Sequence, residues 1–578
     1  MNTKLKPGTT PSETKKFKHV SYLWDEAKAA ELAGDEVALL IYRSNLLGAD
    51  LRLTNYGGGN TSCKAIAKDP LTGKEAEIMW VKGSGGDIGT MKRNGLAALY
   101  VDRLRSLKYV YRGIEHEDEM VELFNHCIYV PIGIGMNSKA PSIDTPLHSF
   151  LPFKHIDHLH PDAAIAIAAA KDGKKITQEL FKGKIGWVEW QRPGFDLGLK
   201  LKKCLDENPG IRGIMLGSHG LFTWGDTAYE SYINTLEVVE RCADYLEEKI
   251  GKAKPIFGGE KIKSLSKEER LKKAFLLAPA LRGFCSSETK MIGHFTDDER
   301  VLEFINSKDL LRLAPMGTSC PDHFLRTKIS PLVLNLSANE PALPTGQAGL
   351  SADRQITDIS VLKKKIDPQF QEYRKMYADY YNSCKHPNSP AMRDANPVVI
   401  LYPGVGMFTF AKNKQTARVA SEFYINAINV MKGSEAISEY TSLPRQEAFD
   451  IEYWLLEEAK LQRMPKPKPL SGRIALITGS AGGIGKAIAK KFADEGACVI
   501  LSDNNAERLK HAKEEFNDLY GKDAFVADML DVTDINTIQQ TLYTTVLAFG
   551  GVDIIVNNAG LSISKSIEEH TENDWDLL

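Results

Sequence analysis

The stretch of sequence that most constrains the fold lies between residues 473 and 503. An apolar, β-branched segment at 474–477 runs into the glycine-rich turn TGSAGGIG at 478–485, and a helical pattern follows. A second apolar segment then leads to Asp503. A strand, a glycine-rich turn, a helix and a second strand in this order form a βαβ unit with parallel strands. The sequence therefore predicts an open, parallel α/β sheet in the last part of the chain.

The glycines of this turn and Asp503 have separate roles. Gly479 permits the tight turn, whereas Gly483 and Gly485 allow a pyrophosphate to approach the backbone and the helix to pack closely on the strand. The N-terminus of the helix then faces the negative charge. A carboxylate at the end of the second strand is placed to hydrogen-bond a ribose diol and to repel a 2′-phosphate, so Asp503 favours NAD over NADP.

Two further motifs, DV at 531–532 and NNAG at 557–560, complete a resemblance to the short-chain dehydrogenases, which have a Rossmann-type, doubly wound sheet. The resemblance implies that NAD is bound by the residues of these motifs: Gly479, Ser480, Gly483, Ile484, Gly485, Asp503, Asp531, Val532, Asn558, Ala559 and Gly560. That family also needs a Ser and a Tyr-x-x-x-Lys after NNAG, and no tyrosine follows Tyr543 here. We interpret the module as an incomplete Rossmann-type sheet. We expect weak NAD binding or partial folding, and no dehydrogenase activity from this chain.

A histidine-rich segment, FKHIDHLHPD at residues 153–162, indicates a metal site. In an extended strand, side chains two residues apart share a face, so His158 and His160 point the same way and Leu159 points into the core. His219 follows a second apolar segment, and its glycine neighbours allow a tight turn that brings a third imidazole alongside. Three imidazoles with one open position are typical of a catalytic zinc. The alternative is a set of packed histidines without a metal.

Two glycine-rich loops precede the histidines. Residues 57–62 read GGGNTS, and residues 82–87 read KGSGGD after an apolar strand pattern. Glycines let backbone N–H groups approach an anion, while side-chain amides and hydroxyls add donors. Either loop alone is more simply explained as a turn, but two of them ahead of a metal motif favour a phosphate site.

Together with PSIDTP at 141–146, these motifs resemble the class II (zinc) aldolases, the family that includes the adducin head, and among them the rhamnulose-1-phosphate aldolases fused to a short-chain dehydrogenase. The resemblance implies an aldolase/adducin-like α/β fold for the first part of the chain. It also implies that Asn60, Ser84, Gly85 and Ser142 hold a substrate phosphate. Asp144 takes the place of the catalytic glutamate, because relatives have Ser-Ser-Glu where this chain has Ser-Ile-Asp. The alternative for Asp144 is an ordinary turn residue.

The resemblance implies a zinc-dependent lyase of rhamnose catabolism. It would cleave L-rhamnulose 1-phosphate, or a similar ketose 1-phosphate, to dihydroxyacetone phosphate and L-lactaldehyde. Two alternatives stay open: a pentulose-phosphate epimerase of the same fold, and a non-catalytic, adducin-like binding module. Since this family usually assembles as homotetramers, we expect a homo-oligomer.

The region between the two modules contains a short sequence repeat of the first module. The sequence GMFTF at 406–410 matches GLFTW at 220–224, and Val405 stands where the first copy has His219. This pattern indicates a degenerate second copy without its metal. Residues 317–323 are polar, and we interpret them as an ordinary loop.

The chain of 578 residues is too long for one core, at about 150 residues per domain. Alternating prolines after Met464 predict an extended spacer. The predicted parts are a flexible tail (1–20), the aldolase-like domain (21–255), a second α/β region (256–463), the spacer (464–470) and the N-terminal part of a dehydrogenase (471–578).

Composition excludes several functions. With 43% hydrophobic and 26% charged residues and a net charge of −2, the chain has no basic character that would favour nucleic acid or a membrane surface. No segment reaches the roughly 18 apolar residues of a membrane span. Eight cysteines without a CxxC spacing are typical of reduced, buried thiols, and we expect a cytoplasmic protein.

Overall fold

The computed structural model describes residues 16–131, 139–252, 255–336, 352–455, 458 and 466–577, with the backbone alone for 352–359 and 577. Residues 1–15 of the expected tail and Met464 and Pro465 of the expected spacer lie outside this set. The chain divides into two compact units. Unit 1 consists of Met1–Phe257, Thr318–Phe324 and Asn426–Ile451, and unit 2 of Gly258–Gly317, Leu325–Ile425 and Glu452–Leu578.

Unit 1 is built on a seven-stranded sheet with the order β3-β2-β1-β4-β7-β6-β5. Neighbouring strands are antiparallel except for β5 and β6, which are parallel. The strands are β1 (Asn60–Lys68), β2 (Glu75–Lys82), β3 (Leu96–Tyr100), β4 (His155–Leu159), β5 (Ile185–Val188), β6 (Gly213–Leu216) and β7 (Gly220–Gly225).

Helices pack on both faces of this sheet. Leu159 of β4 belongs to a core that includes residues of the helices Glu36–Ala49 and Ala228–Lys252. Ile156, on the opposite face of the same strand, belongs to a core with the helices Thr145–Phe150 and Phe195–Glu207. The other helices that lie within unit 1 are Glu26–Glu31, Val101–Ser106, Glu117–Phe124, Asp162–Ala168 and Gly173–Phe181.

Residues 16–20 do not behave as the flexible tail that the sequence predicts. Val20 is buried, and one carboxylate, that of Glu240, accepts the backbone N–H groups of Lys18, His19 and Val20. A single acceptor for three consecutive backbone donors fixes this segment on unit 1.

Unit 2 contains a four-stranded sheet, β8-β11-β10-β9, whose strands are β8 (Ile292–Thr296), β9 (Leu332–Val333), β10 (Val399–Tyr402) and β11 (Gly406–Ala411). The order and directions repeat those of β4-β7-β6-β5. Tyr402 pairs with Gly406 as Leu216 pairs with Gly220. The structure therefore confirms the predicted second copy. Val405 is buried at the position of His219, so this copy lacks that metal ligand.

Most of the second α/β region, which the sequence predicts at 256–463, lies in unit 2. Residues 318–324 and 426–451 lie in unit 1 instead. Asn426 and Asn429 each donate to the Asp162 carboxylate at 2.8 Å, and Ser434 donates to the carbonyl of Ala166. These hydrogen bonds hold the segment to the helix that follows β4.

The second α/β region also contains seven of the helices that the structure describes. Those within unit 2 are Lys267–Cys285, Glu299–Ile305, Leu310–Leu313 and Ala352–Cys384. Three others have residues in both units: Pro321–Thr327, Lys414–Ile437 and Arg445–Glu452.

The last part of the chain forms the predicted parallel sheet, with the order β14-β13-β12-β15. Its strands are β12 (Ile474–Ile477), β13 (Cys498–Asp503), β14 (Phe525–Met529) and β15 (Ile554–Val556). Its helices are Gly483–Asp494, Ala506–Tyr520, Ile535–Phe549 and Glu572–Leu577. The fold class predicted from the sequence is therefore confirmed.

The dehydrogenase-like sheet belongs to the same compact unit as the second copy, although the prolines predict a spacer between them. A contact through Arg282 links the dehydrogenase-like sheet to the second copy. Its guanidinium donates to both carboxylate oxygens of Asp553, at 3.1 and 2.6 Å, and to the carbonyl of Gly472. A bidentate pair of this kind fixes orientation as well as distance.

None of the helices in the described part of the chain has the length and apolar character that a membrane span requires. All eight cysteines are buried and unpaired.

Candidate active site

Three histidines meet at one end of β4. His158 and His160 lie on the same face, with their Nε2 atoms 3.1 Å apart. His219 occupies the short turn between β6 and β7, where Ser218 has a φ of 52°, and its ring centroid lies 5.0 Å from that of His158. One nitrogen of each ring lies within 4.8 Å of the others. The structure thus brings together the three residues predicted as metal ligands.

The ring nitrogens are arranged for metal binding. Nδ1 of His158 lies 3.2 Å from the carbonyl of Leu221, so it carries the proton and leaves the Nε2 lone pair free. Two nitrogen ligands of a tetrahedral zinc lie about 3.3 Å apart, close to the separation of the two Nε2 atoms. Burial lowers the pKa of His219 to about 3, and it lowers the pKa of His158 as well. Three ring nitrogens within 4.8 Å of one another, on two rings that burial keeps neutral and a third beside them, fit a zinc ion.

Asn60 lies beside this cluster because of strand register. It begins β1 and pairs directly with His158 of β4. Its side chain is fully buried and lies against the Asp144 carboxylate. A buried carboxamide at this position is suited to bind a polar ligand.

Asp144 is the N-cap residue of the helix Thr145–Phe150, but its side chain makes no capping hydrogen bond. The carboxylate instead lies near the histidine cluster. Burial and the Asp322 carboxylate raise the pKa of Asp144, while His160, Lys82 and Asn60 oppose this shift. A carboxyl group with a raised pKa next to a metal cluster can exchange protons with a substrate.

The second glycine-rich loop lies against the segment that carries Ser142. The backbone N–H of Ser84 donates to the carbonyl of Ala140 at 3.1 Å, and Gly83 pairs with Pro141. Gly85 has a φ of 76° and open space where a side chain would lie. The Ser142 hydroxyl is 3.3 Å from the Asp144 carboxylate. The residues predicted to hold the phosphate therefore border the proposed acid–base residue.

Lys82 begins the second loop, although its role does not follow from the sequence pattern. Its ammonium group donates to the carbonyls of Gly86, at 2.7 Å, and Gly57, at 3.4 Å. These contacts join the two glycine-rich loops. They also place a buried cation beside both loops, where a phosphate would be attracted.

Residues 317–323 are not the ordinary loop that the sequence suggests. Asp322 Oδ2 lies 2.6 Å from Nδ1 of His160, and the buried Cys320 lies next to both. His323 Nε2 lies 3.4 Å from the Asn55 side chain, just ahead of the first glycine-rich loop. Only the unusual polarity of this segment could have indicated that it borders the histidine cluster, because about 160 residues separate it from His160.

The glycine turn of the parallel sheet has the geometry expected for a nucleotide. Gly479 has a φ of 65°, and Gly483 has a φ of 52° with open space beside it. A Cβ atom on Gly485 would lie 2.3 Å from the carbonyl oxygen of Gly479, so only glycine lets the helix pack this closely. Asn558 donates to the carbonyls of Thr478, at 2.9 Å, and Gly479, at 3.2 Å, and thereby holds the turn.

The other predicted nucleotide-binding residues surround this turn to different extents. The Asp503 carboxylate accepts the backbone N–H of Ala481 at 3.2 Å, and the Ser480 hydroxyl accepts that of Ser502 at 2.8 Å. The backbone N–H of Ala559 donates to the Thr478 hydroxyl at 2.9 Å. Others are less connected. Ile484 and Val532 are exposed, a Cβ atom on Gly560 would lie 4.0 Å from the carbonyl oxygen of Asn558, and the Asp531 carboxylate accepts hydrogen bonds from Thr533.

Comparisons with known families cover nearly the whole chain. Residues 39–246 match the class II aldolase and adducin N-terminal domain, and residues 272–461 match the second domain of class II aldolases. Residues 473–578 match the short chain dehydrogenases.

Two curated relatives match in different ways. The uncharacterized oxidoreductase YuxG of Bacillus subtilis is 37% identical over 558 residues, which cover 96% of this chain and 77% of that protein. The 3-oxoacyl-[acyl-carrier-protein] reductase FabG of Thermotoga maritima is 42% identical over 110 residues, which cover 19% of this chain and 44% of that protein. The chain thus spans less than half the length of this reductase.

Two solved structures are also similar in sequence. The N-terminal class II aldolase domain of a conserved protein from Thermoplasma acidophilum is 29% identical; the match covers 37% of this chain and 94% of that chain, with a TM-score of 0.33. L-sorbose reductase from Gluconobacter frateurii is 34% identical; the match covers 19% of this chain and 42% of that chain, with a TM-score of 0.18.

Proposed function

This chain belongs to the family in which class II aldolase domains precede a short-chain dehydrogenase domain, and from that premise we propose that it cleaves a ketose 1-phosphate by a retro-aldol reaction. The proposed substrate is L-rhamnulose 1-phosphate, and the products are dihydroxyacetone phosphate and L-lactaldehyde. The observation that supports this most directly is the approach of His158, His160 and His219 beside Asp144 and the two glycine-rich loops.

The substrate phosphate would lie between the two loops. Backbone N–H groups near Gly85, the hydroxyls of Ser84 and Ser142, and the Asn60 carboxamide supply hydrogen-bond donors. Lys82 adds a positive charge that is held close to both loops by its contacts with Gly57 and Gly86. Fixing the phosphate in this way places the carbon chain next to the histidines and lowers the entropic cost of the reaction.

Asp144 would move the proton. Cleavage of the bond between C3 and C4 removes the proton of the C4 hydroxyl, whose oxygen becomes the aldehyde carbonyl, and leaves the electron pair on C3 of the half that carries the phosphate. C3 must then receive a proton. The raised pKa of Asp144 favours the protonated form that this step needs. Ser142, whose hydroxyl is 3.3 Å from the carboxylate, helps to orient it.

His158, His160 and His219 would hold the metal. A zinc ion at this position supplies Lewis-acid stabilisation of the negative charge that develops on the oxygen at C2. Leu221 holds the His158 ring by its carbonyl, so the lone pair of Nε2 stays directed at the site.

The dehydrogenase module would bind a dinucleotide at the glycine turn. Short-chain dehydrogenases bind NAD(P), and here Asp503 favours NAD because a second negative charge near the ribose would be repelled. We propose that this module, in a protein that contains the complete domain, oxidises the aldehyde that the first module releases.

The test of the aldolase is release of dihydroxyacetone phosphate from L-rhamnulose 1-phosphate by the purified chain. It is run with zinc, after removal of metal by a chelator, and with the His219→Ala variant. The exposed His126 provides the control, as His126→Ala removes an imidazole that faces solvent. We expect metal-dependent release that His219→Ala abolishes and His126→Ala retains.

Other outcomes contradict the proposal in distinguishable ways. Bound zinc without release of dihydroxyacetone phosphate would exclude L-rhamnulose 1-phosphate as the substrate. If the same preparation then epimerised a pentulose phosphate, the protein would be an epimerase of this fold. Absence of bound zinc would favour a non-catalytic binding module.

A further inference from the structure

The segment Thr318–Phe324 reaches the histidine cluster from a part of the chain that matches the second aldolase domain. We infer that Asp322 of this segment is a positioning residue of the metal centre, which holds the His160 ring with Nε2 directed at the cation. The inference rests on the proposed metal-binding function of the cluster.

The contact between the two side chains is short and specific. Asp322 Oδ2 lies 2.6 Å from Nδ1 of His160, while Nε2 of the same ring lies 3.1 Å from Nε2 of His158. A carboxylate accepts a hydrogen bond from the Nδ1–H group, and this fixes the tautomer in which Nε2 has the lone pair.

The three ligand rings differ in what holds them. His158 is held by a backbone carbonyl, that of Leu221, and Nδ1 of the buried His219 has no hydrogen-bond partner among the described residues. Only His160, within that part of the chain, is held by a carboxylate. A carboxylate partner orients a ligating imidazole and also raises its basicity, which strengthens the metal–nitrogen bond.

The same segment touches the first glycine-rich loop. A side chain at Gly58 would lie 2.8 Å from Asp322 Oδ2, and His323 lies 3.4 Å from Asn55. The segment therefore lies against both the proposed metal ligands and the proposed phosphate loop. Its position couples residues of the second aldolase domain to the site that the first domain carries.

The rival explanation is that the segment supplies a direct metal ligand. Cys320 is fully buried and lies within reach of His160 and Asp322. Two ligand atoms of one tetrahedral zinc lie about 3.3 Å apart, whereas the 2.6 Å between Asp322 and His160 is the length of a charge-assisted hydrogen bond. The distance thus favours a hydrogen bond between Asp322 and the His160 ring over coordination of one zinc ion by both of these atoms.

The experiment measures zinc affinity by competition with a chromophoric chelator, for the full chain and its variants. Asp322→Asn keeps the size of the side chain and removes its charge. The matched control is Asp172→Asn, because the Asp172 carboxylate also contacts a segment of the second domain, through Ser438, but does not contact a proposed ligand. Far-ultraviolet circular dichroism checks that each variant folds.

We expect Asp322→Asn to weaken zinc binding by roughly 10- to 100-fold, the usual effect of losing such a partner. Asp172→Asn should bind zinc as the parent chain does. Asp322→Glu, which retains a carboxylate, should lie between the parent and Asp322→Asn. Equal losses for Asp322→Glu and Asp322→Asn would mean that the shape of the segment sets the affinity, and this would overturn the inference.

Two further outcomes separate this inference from the proposed function. Tight zinc binding by the parent chain that Asp322→Asn leaves unchanged would overturn the role of Asp322 alone; if Cys320→Ala then weakens binding, the thiol is a direct ligand. A parent chain that binds no zinc would overturn both the inference and the proposed metal centre.

Discussion

Arg43 Nε donates to Asp157 Oδ1 at 2.9 Å, and neither side chain is accessible to solvent. The pair lies directly behind the metal cluster, because Asp157 precedes His158 on β4 and points to the opposite face of the sheet. Arg43 also donates to the carbonyl of Ser62 on β1 at 2.9 Å, and Ser231 donates to the second oxygen of Asp157 at 2.6 Å. One buried ion pair therefore fixes the strand that carries two of the three proposed ligands.

The first prediction concerns this pair. Arg43→Met leaves Asp157 buried and charged without its partner, so we expect a loss of about 3–5 kcal/mol in the free energy of unfolding. Denaturant titration monitored by tryptophan fluorescence measures it. Arg112→Met, which removes the solvent-exposed pair with Glu119, is the control and should have a much smaller effect. Equal stability of the two variants would contradict a structural role for Arg43.

Asp144 provides the second prediction. Asp144→Asn should lower kcat for cleavage by roughly 10²- to 10⁴-fold, since the amide cannot transfer a proton. Zinc binding should be unchanged, because Asp144 is not among the residues whose ligand atoms form the histidine cluster. Steady-state kinetics and the metal content of the same preparations measure both quantities. A variant with full activity would assign the proton transfer to another group.

The third prediction tests the charge between the loops. Lys82→Met should raise KM for the phosphorylated substrate at least tenfold, because the charge-assisted contact to the phosphate is lost. The effect on kcat should be smaller, as Lys82 does not reach the carbon that receives the proton in the proposed reaction. Lys92→Met removes an exposed lysine nearby in the sequence and is the control. A change in kcat alone would place Lys82 in the chemical step instead.

Part of this site could be predicted from local sequence, because its geometry is local. The period of a strand is enough to put His158 and His160 on one face, and the glycines that flank residues 218–219 are enough to indicate the turn that brings His219 close. The roles of Gly479 and Gly485 follow from the same kind of reasoning, since both depend on the βαβ turn itself.

The rest of the site depends on long-range packing. Asp322 meets His160 only because residues 318–324 and 426–451 return to unit 1, and Asn426 and Asn429 help to hold the second of these segments through Asp162. No sequence pattern near Asp322 or His160 indicates that these two segments pack in unit 1. Likewise, the proline-rich stretch predicts a spacer, but the contact between Arg282 and Asp553 joins segments about 270 residues apart.

The fourth prediction concerns acid stability and His148. This residue is fully buried, with Nδ1 2.8 Å from the Ser62 hydroxyl. Burial, helped by the charges of Lys64 and Arg43, lowers the pKa of His148 from 6.5 to about 3. Between these values the unfolded chain binds a proton that the folded chain does not, so the contribution of His148 is complete above pH 6.5 and is lost as the pH falls towards 3.

The corresponding measurement is the free energy of unfolding against pH, in chelator so that metal binding does not contribute. His148→Gln removes the titrating group and should reduce the loss of stability at pH 4, relative to pH 7, by on the order of 3 kcal/mol. The exposed His126→Ala variant is the control and should leave the pH dependence unchanged. Parallel curves for His148→Gln and the parent chain would show that His148 is protonated in the folded state.

The last prediction separates the shape of the nucleotide site from its charge. A side chain at Gly485 would meet the Gly479 carbonyl at 2.3 Å and the Asn558 amide nitrogen at 2.4 Å, neither of which can move without opening the turn. Gly485→Val should therefore abolish dinucleotide binding in calorimetric titrations with NAD and with NADP. Asp503→Asn keeps an acceptor for the N–H of Ala481 but removes the charge, so it should weaken NAD binding less and reduce the preference for NAD over NADP. If the parent chain binds both dinucleotides equally, the carboxylate of Asp503 does not select the cofactor, and its hydrogen bonds serve only to hold the turn.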